Sequence, residues 1–162
     1  MKTRYEYWRL PVSRLASAVA VLFLLFSTNN WETGGAGVST ALFTLGMFLV
    51  AIGSLGRMWC SLYIAGYKDQ VLITQGPYSM TRNPLYFFSV FGALGVGFCT
   101  GTFTFPVLIL AVMVLYYPLV VRKEERRLRA RFGGDFDDYA RRVPAFFPNL
   151  ARFSEPDTYL VK

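Results

Sequence analysis

Residues 84–121 run for 38 positions without a charged side chain. As one straight helix this run would be ~57 Å long, against a bilayer hydrocarbon core of ~30 Å, so it must fold back on itself. The only turn chemistry inside it is GTFTFP at residues 101–106. Glycine and proline there predict a helical hairpin with arms near 85–99 and 105–121. A second uncharged run, residues 33–56, holds 24 positions, enough for a span of ~20 residues. The chain is 54% hydrophobic and gathers those residues in blocks, which is the pattern of a polytopic membrane protein.

Residues 10–28 form a third apolar stretch, with Arg14 close enough to its end to snorkel. The residues after Phe26 (Ser27, Thr28, Asn29, Asn30, Trp31) lack the small-x-small pattern of a cleaved signal peptide, so a retained span is expected. The expected architecture is an all-α membrane protein with four transmembrane helices, near 10–28, 38–56, 84–100 and 105–121. A cytosolic, amphipathic C-terminal helical segment follows over 122–162, and residues 1–162 are read as a single domain. Basic residues precede the first span, separate the second from the third and follow the fourth, while the other two loops contain only Glu32. The positive-inside rule then places both termini in the cytoplasm. Compact size and the lack of sorting signals favour a prokaryotic inner membrane. The net charge of +7 is explained by topology and anionic lipid headgroups, without nucleic acid.

Cys60 and Cys99 sit in apolar contexts and suggest neither a disulfide framework nor a metal site. Histidine is absent, which removes the commonest general base and metal ligand. Gly46, Gly53 and Gly56 on the second span, and Gly92, Gly95, Gly97 and Gly101 on the third, offer faces for close helix approach. Pro118 is expected to kink the fourth span. Residues 57–75 mix aromatic and basic side chains, as an interfacial belt does. After Arg122, Glu124, Leu128 and Phe132 share one helical face, Glu125 is spaced to pair with Arg129, and Gly133-Gly134 ends the helix. A short amphipathic piece around Phe136, Tyr139 and Val143 follows, ending at Pro144 and Pro148. The last dozen residues carry no usable signal.

GPYSMTRNPLY, residues 76–86, joins the polar middle of the chain to the hairpin. Pro84 suits a first helical turn and Asn83 its N-cap. The helix N-terminus so formed faces Tyr78, Ser79, Thr81 and Arg82, and such an end attracts anionic groups. The plainer alternative is a capped interfacial loop with Arg82 on a lipid phosphate. By the topology above, this loop and the Glu124-Glu125 pair lie on the same side of the membrane. An acidic pair on an arginine-rich helix is by itself only salt-bridge decoration, worth a few tenths of a kcal/mol.

GPY-x₃-RNPLY, followed about 40 residues later by EE-x₂-L-x₃-FG-x₅-Y-x₃-VP, resembles the isoprenylcysteine carboxyl methyltransferase and phospholipid methyltransferase family. The upstream GRMWCSLYIAGYKDQVLITQ fits as well, so the resemblance spans roughly residues 56–148. It implies an integral-membrane enzyme that uses S-adenosylmethionine at its cytosolic face. The implied cofactor contacts are Gln70, Val71, Leu72, Ile73, Tyr78, Asn83, Pro84, Leu85, Tyr86 and Glu124. Arg82 and Glu125 occupy the motif's arginine and second acidic position, the implied catalytic pair. Many members have histidine where this chain has Asn83; asparagine keeps a hydrogen bond but cannot titrate.

Methyl transfer from a sulfonium is an in-line displacement, so positioning and desolvation dominate. A carboxylate acceptor is already ionised at neutral pH, whereas an amine must first lose a proton. The lack of histidine therefore leans towards an acid or thiol acceptor, with Tyr78, Tyr86 or Glu125 left to serve an amine. Arg82 or Arg122 would hold a substrate carboxylate or phosphate. Tyr63, Tyr67, Tyr86 and Phe87 would flank the cofactor, or else anchor the interface. The expected function is methylation of a lipidic or prenylated acceptor reached from the bilayer. The alternatives are a phospholipid amine methyltransferase and a non-catalytic scaffold that keeps the fold; oligomeric state is open.

Overall fold

The computed structural model describes residues 36–65 and 71–155. The span expected at 10–28 and the residue Gln70 lie outside the described residues. Among the described residues all regular structure is helical. The elements are α1 (Ala36–Ile64), the single turn α2 (Pro77–Met80), α3 (Pro84–Phe98), α4 (Thr104–Phe132), α5 (Gly134–Arg142) and a 3-10 turn (Leu150–Arg152).

Helix α1 does not stop at Gly56, the expected end of its span. A Cβ at Gly56 would lie 2.1 Å from the Phe88 ring, so this glycine serves packing and not capping. The helix continues to Ile64 and carries Trp59 and Tyr63 on its last turns, where an interfacial loop was expected. The other small residues act as their spacing suggests. A Cβ on Gly53 would fall 2.4 Å from the Gly92 nitrogen, and one on Gly95 would fall 2.7 Å from the Gly46 carbonyl oxygen. Backbone thus meets backbone along the α1–α3 crossing, the geometry small residues permit in membrane helices.

The hairpin forms where GTFTFP predicts it. Gly101 takes a left-handed φ of 71°, its N–H donates to the Phe98 carbonyl at 2.9 Å, and Gly97 lies against Pro106. Helix α4 then runs 29 residues through Pro118, ~44 Å at 1.5 Å per residue. That exceeds the hydrocarbon thickness, so its charged end from Arg122 onwards stands clear of it. Only 6% of the apolar stretch of α4 is buried, and Leu115 is 75% exposed. So much open apolar surface suits lipid, not water. Helices α1 and α4 are the two long and apolar enough to cross a membrane among the described residues. With 15 residues, or ~22 Å, α3 is shorter than the crossing expected over 84–100. Pro84 fixes one end and the turn at Thr100–Gly101 fixes the other.

Beyond α4 the chain turns at Gly133 (φ 54°) into α5. Phe136, Tyr139 and Val143 form a buried cluster against Leu72, Leu128 and Phe132, the faces their periodicity predicts. One expected pair is corrected: Arg129 bonds Asp137 at 2.6 Å and covers the Phe136 ring, while Glu125 turns the other way to Arg82. Residues 144–154 then run back along residues 76–83 as a strap. Prolines 144 and 148 keep it out of helix.

Candidate functional site

The loop of residues 76–83 is built from both sides. Gly76 takes φ 59°, and a Cβ there would sit 2.2 Å from the Tyr63 ring, so glycine is required twice over. The Ser79 hydroxyl donates to the Gly76 carbonyl at 2.7 Å. The strap supplies the remaining partners. Arg82 N–H donates to the Pro144 carbonyl at 2.9 Å and Asn149 N–H to the Met80 carbonyl at 3.0 Å. The Thr81 hydroxyl donates to the Phe146 carbonyl at 3.0 Å, and Ser154 N–H to the Ser79 hydroxyl at 3.0 Å.

Thr81 is 1% exposed and Asn83 6%, so the segment is a buried loop braced by the strap. Asn83 holds the N-cap position of α3, yet its side chain makes no cap. Its Nδ2 donates instead to the Ala145 carbonyl at 2.8 Å, because the strap offers a buried acceptor that must be satisfied.

Arg82 is the loop residue whose side chain reaches α4. Its Nη1 lies 3.2 Å from Glu125 Oε1, with the side chains 16% and 20% exposed. The contact is an ion pair without the alignment of a hydrogen bond. Among the described residues, three buried side-chain atoms find no hydrogen-bond partner: Tyr78 Oη, Arg82 Nε and Glu125 Oε1. Tyr139 joins this group by donating its hydroxyl proton to the Tyr78 carbonyl at 2.7 Å. Burial raises the Tyr78 phenol well above its ordinary value of 10.0. It raises Tyr139 likewise, with smaller and partly opposing effects from Tyr78, Arg82 and Glu125. Both phenols are therefore proton donors at neutral pH.

The acidic pair diverges. Glu124 is paired with Arg127 at 2.9 Å and is more exposed than Glu125; it lies within electrostatic reach of Tyr86. The Tyr86 ring meets Tyr117 edge-on at 5.3 Å. Pro84 is buried and Leu85 half-buried in the first turn of α3. Of the strip before the loop, Val71 is 53% exposed, Ile73 is half-buried and Leu72 packs into the α5 cluster. Arg82 and Glu125 are thus brought together, Tyr139 lies within electrostatic reach of both and of Tyr78, Tyr86 lies within reach of Glu124, and Leu72 is committed to packing.

A cavity of about 670 Å³ opens between α3, α4 and the strap, walled by Phe87, Phe91, Met113 and Tyr117, with Arg122 and Glu125 at its polar end. From the sequence, Tyr139 is expected only on the apolar face of its helix, and the strap aromatic Phe146 carries no expected role. The available signal was the proline-bracketed VPAFFP, an apolar run too short for a helix. A buried carboxylate oxygen with an ion pair but no hydrogen bond, at the polar end of an apolar cavity, suits a ligand with a polar head and an apolar body.

The phospholipid methyltransferase family model matches residues 35–135. The chain is 41% identical over 153 residues to the nickel-cobalt-cadmium resistance protein NccN of Alcaligenes xylosoxydans xylosoxydans, covering 94% of this chain and 70% of that one. It is 40% identical over 153 residues to the cobalt-zinc-cadmium resistance protein CzcN of Cupriavidus metallidurans, covering 94% and 69%. To the protein-S-isoprenylcysteine O-methyltransferase of Schizosaccharomyces pombe it is 31% identical over 81 residues, 50% of this chain and 34% of that one. No solved structure matches.

Proposed function

Because the chain belongs to the phospholipid methyltransferase family, we propose that it is an S-adenosylmethionine-dependent methyltransferase acting on an acceptor embedded in the bilayer. The observation that carries this reading is that Tyr78 Oη, Arg82 Nε and Glu125 Oε1 are buried without a hydrogen bond, while the Arg82–Glu125 ion pair sets its carboxylate on the wall of the apolar cavity. Natural proteins seldom leave such atoms unpaired unless a ligand satisfies them.

In this reading the residues divide by environment. Tyr78 donates a hydrogen bond from its neutral phenol. Glu124, half-exposed on the outer side of α4, accepts hydrogen bonds from the cofactor's hydroxyl or amino groups. Val71, Ile73 and the first turn of α3 (Pro84, Leu85, Tyr86) line the cofactor's side. Asn83 shapes the loop through Ala145 and does not titrate. Arg82 and Glu125 face the acceptor, with Arg122 at the cavity rim to hold an anionic head. S-adenosylmethionine, when bound, supplies the methyl group from its sulfonium and leaves as S-adenosylhomocysteine. The protein's task is to align the acceptor for in-line attack and to exclude water.

In this reading α3 and α4 form a hairpin within a protein that spans the membrane. Both termini are cytoplasmic, in a prokaryotic inner membrane whose anionic headgroups meet the basic end of α4. A lipidic or prenylated carboxylate fits Arg122 at the cavity end best; a phospholipid amine is the alternative, with Glu125 as its base.

A second reading starts from the names of NccN and CzcN, and gives this methylation a part in metal tolerance. The chain contains no histidine, and among the described residues no three metal-ligating side chains gather. The tolerance would then come from the methylated membrane component.

Calorimetric titration of S-adenosylhomocysteine into the detergent-solubilised protein tests the proposal. Binding by the wild type, weakened in Glu124→Ala with the fold retained, is expected. Absence of binding at millimolar ligand would remove the enzyme reading.

A further inference from the structure

A second cavity, of about 630 Å³, lies on the other side of the motif loop, with Trp59, Met80, Phe88 and Phe153 among its walls. It and the cavity of about 670 Å³ that ends at Arg122 and Glu125 share one lining residue, Phe87. The Phe87 ring meets the Phe146 ring edge-on at 5.8 Å, and Phe146 lines the first cavity. The strap is itself divided at this point: Ala145, Phe146 and Phe147 face the first cavity, while Pro148, Leu150 and Phe153 face the second. Two rings therefore close a wall between two apolar spaces of nearly equal size.

We propose that Phe87, braced by Phe146, is a ruler that sets the length of acceptor tail the protein accepts. This rests on the function proposed above. The occupant is the hydrocarbon chain of an amphiphile whose charged head lies at Arg122 and Glu125. The chain fills the first cavity and stops at the Phe87 ring. Phe146 is held from behind, since the carbonyl of its own residue accepts the Thr81 hydroxyl bond and the neighbouring Ala145 carbonyl accepts from Asn83. The wall is thus fixed by the same loop that carries Arg82. Phe87 touches neither the head nor the reacting atoms; it sets specificity by limiting space. Truncating it to alanine joins the two cavities, and a longer tail then reaches Trp59.

The test uses ω-bromoalkanoic acids of ten to eighteen carbons as probes, in the full chain with Trp8→Phe and Trp31→Phe so that Trp59 is the remaining indole. Bromine quenches indole emission only near contact. Probe binding is followed separately by native mass spectrometry. With Phe87 present, chains bind and Trp59 emission stays at the level seen with unbrominated acids at every length. In Phe87→Ala, quenching should set in above a threshold length, and chains past that threshold should gain affinity by about fourfold for each methylene newly buried. Phe146→Ala opens the same wall from the strap and should lower the same barrier, so the test survives if one variant fails to fold. Quenching by long chains with Phe87 in place would overturn the ruler. So would an unchanged length dependence in both variants, or failure of every probe to bind. Titration of S-adenosylhomocysteine on the same samples reads the methyltransferase proposal separately, so either can fail alone.

Discussion

Tyr78 carries a hydroxyl that is buried and, among the described residues, unpartnered. A purely structural tyrosine in that state would be improved by losing its oxygen, whereas a ligand-binding one would not. Tyr78→Phe should leave the thermal stability of the free protein unchanged or raised, while weakening S-adenosylhomocysteine binding by ~1–2 kcal/mol, about tenfold. Parallel melting curves and titrations check both halves. Arg82 and Glu125 predict the opposite pattern. Removing Arg82 leaves the Glu125 carboxylate unpaired on the wall of an apolar cavity, and Arg82→Ala should cost ~2 kcal/mol of stability, less than a fully buried pair because both side chains keep some water. The double variant Arg82→Met with Glu125→Leu should recover most of that loss in the same melting assay.

The phenols also fix a pH dependence. Tyr78 and Tyr139 are raised by burial above their ordinary value of 10.0, so their neutral forms favour the folded state. This contribution is complete below pH ~10, and above it the unfolded chain gives up its phenolic protons first. Stability should therefore fall as pH rises beyond ~10, by up to ~1.4 kcal/mol per pH unit for each tyrosine. Melting curves on either side of that pH, with Tyr139→Phe showing the shallower decline, check the sign.

Among the elements, the α1–α3 crossing and the strap do different work. Gly53 and Gly95 stand where any side chain would meet backbone of the facing helix. Gly53→Leu should separate the helices and cost ~3 kcal/mol or more, as overpacking does. Gly37→Leu meets nothing within 4 Å and should be silent in the same melting experiment. The hairpin turn, the glycine faces and the α5 cluster were all legible in the sequence, because each follows from local spacing: a turn inside an uncharged run, small residues at helical intervals, an apolar stripe of period 3.6. The strap was not. Its bonds to the loop are mostly backbone carbonyls of residues 144–146, which no side-chain pattern announces. The same hidden partner misled the reading of Asn83, whose residue type suits a cap while its side chain is spent on Ala145. Glu125 was paired with Arg129 by helical spacing, and a partner 43 positions upstream prevailed. Arg82 and Glu125 were legible as a pair only through the resemblance, since no local spacing links positions 43 apart.

For the whole molecule, the open apolar surfaces of α1 and α4 argue a protein seated in the bilayer. The central claim is that this seat serves methyl transfer to a membrane-borne acceptor. The most direct measurement incubates membranes containing the protein with S-adenosylmethionine labelled in its methyl group, then counts label in the organic extract and in membrane protein. The account predicts label above that of membranes lacking the protein, and its loss in membranes carrying Glu124→Ala at equal abundance. Label no higher than the empty membranes, from wild-type protein that is folded and present, would contradict it.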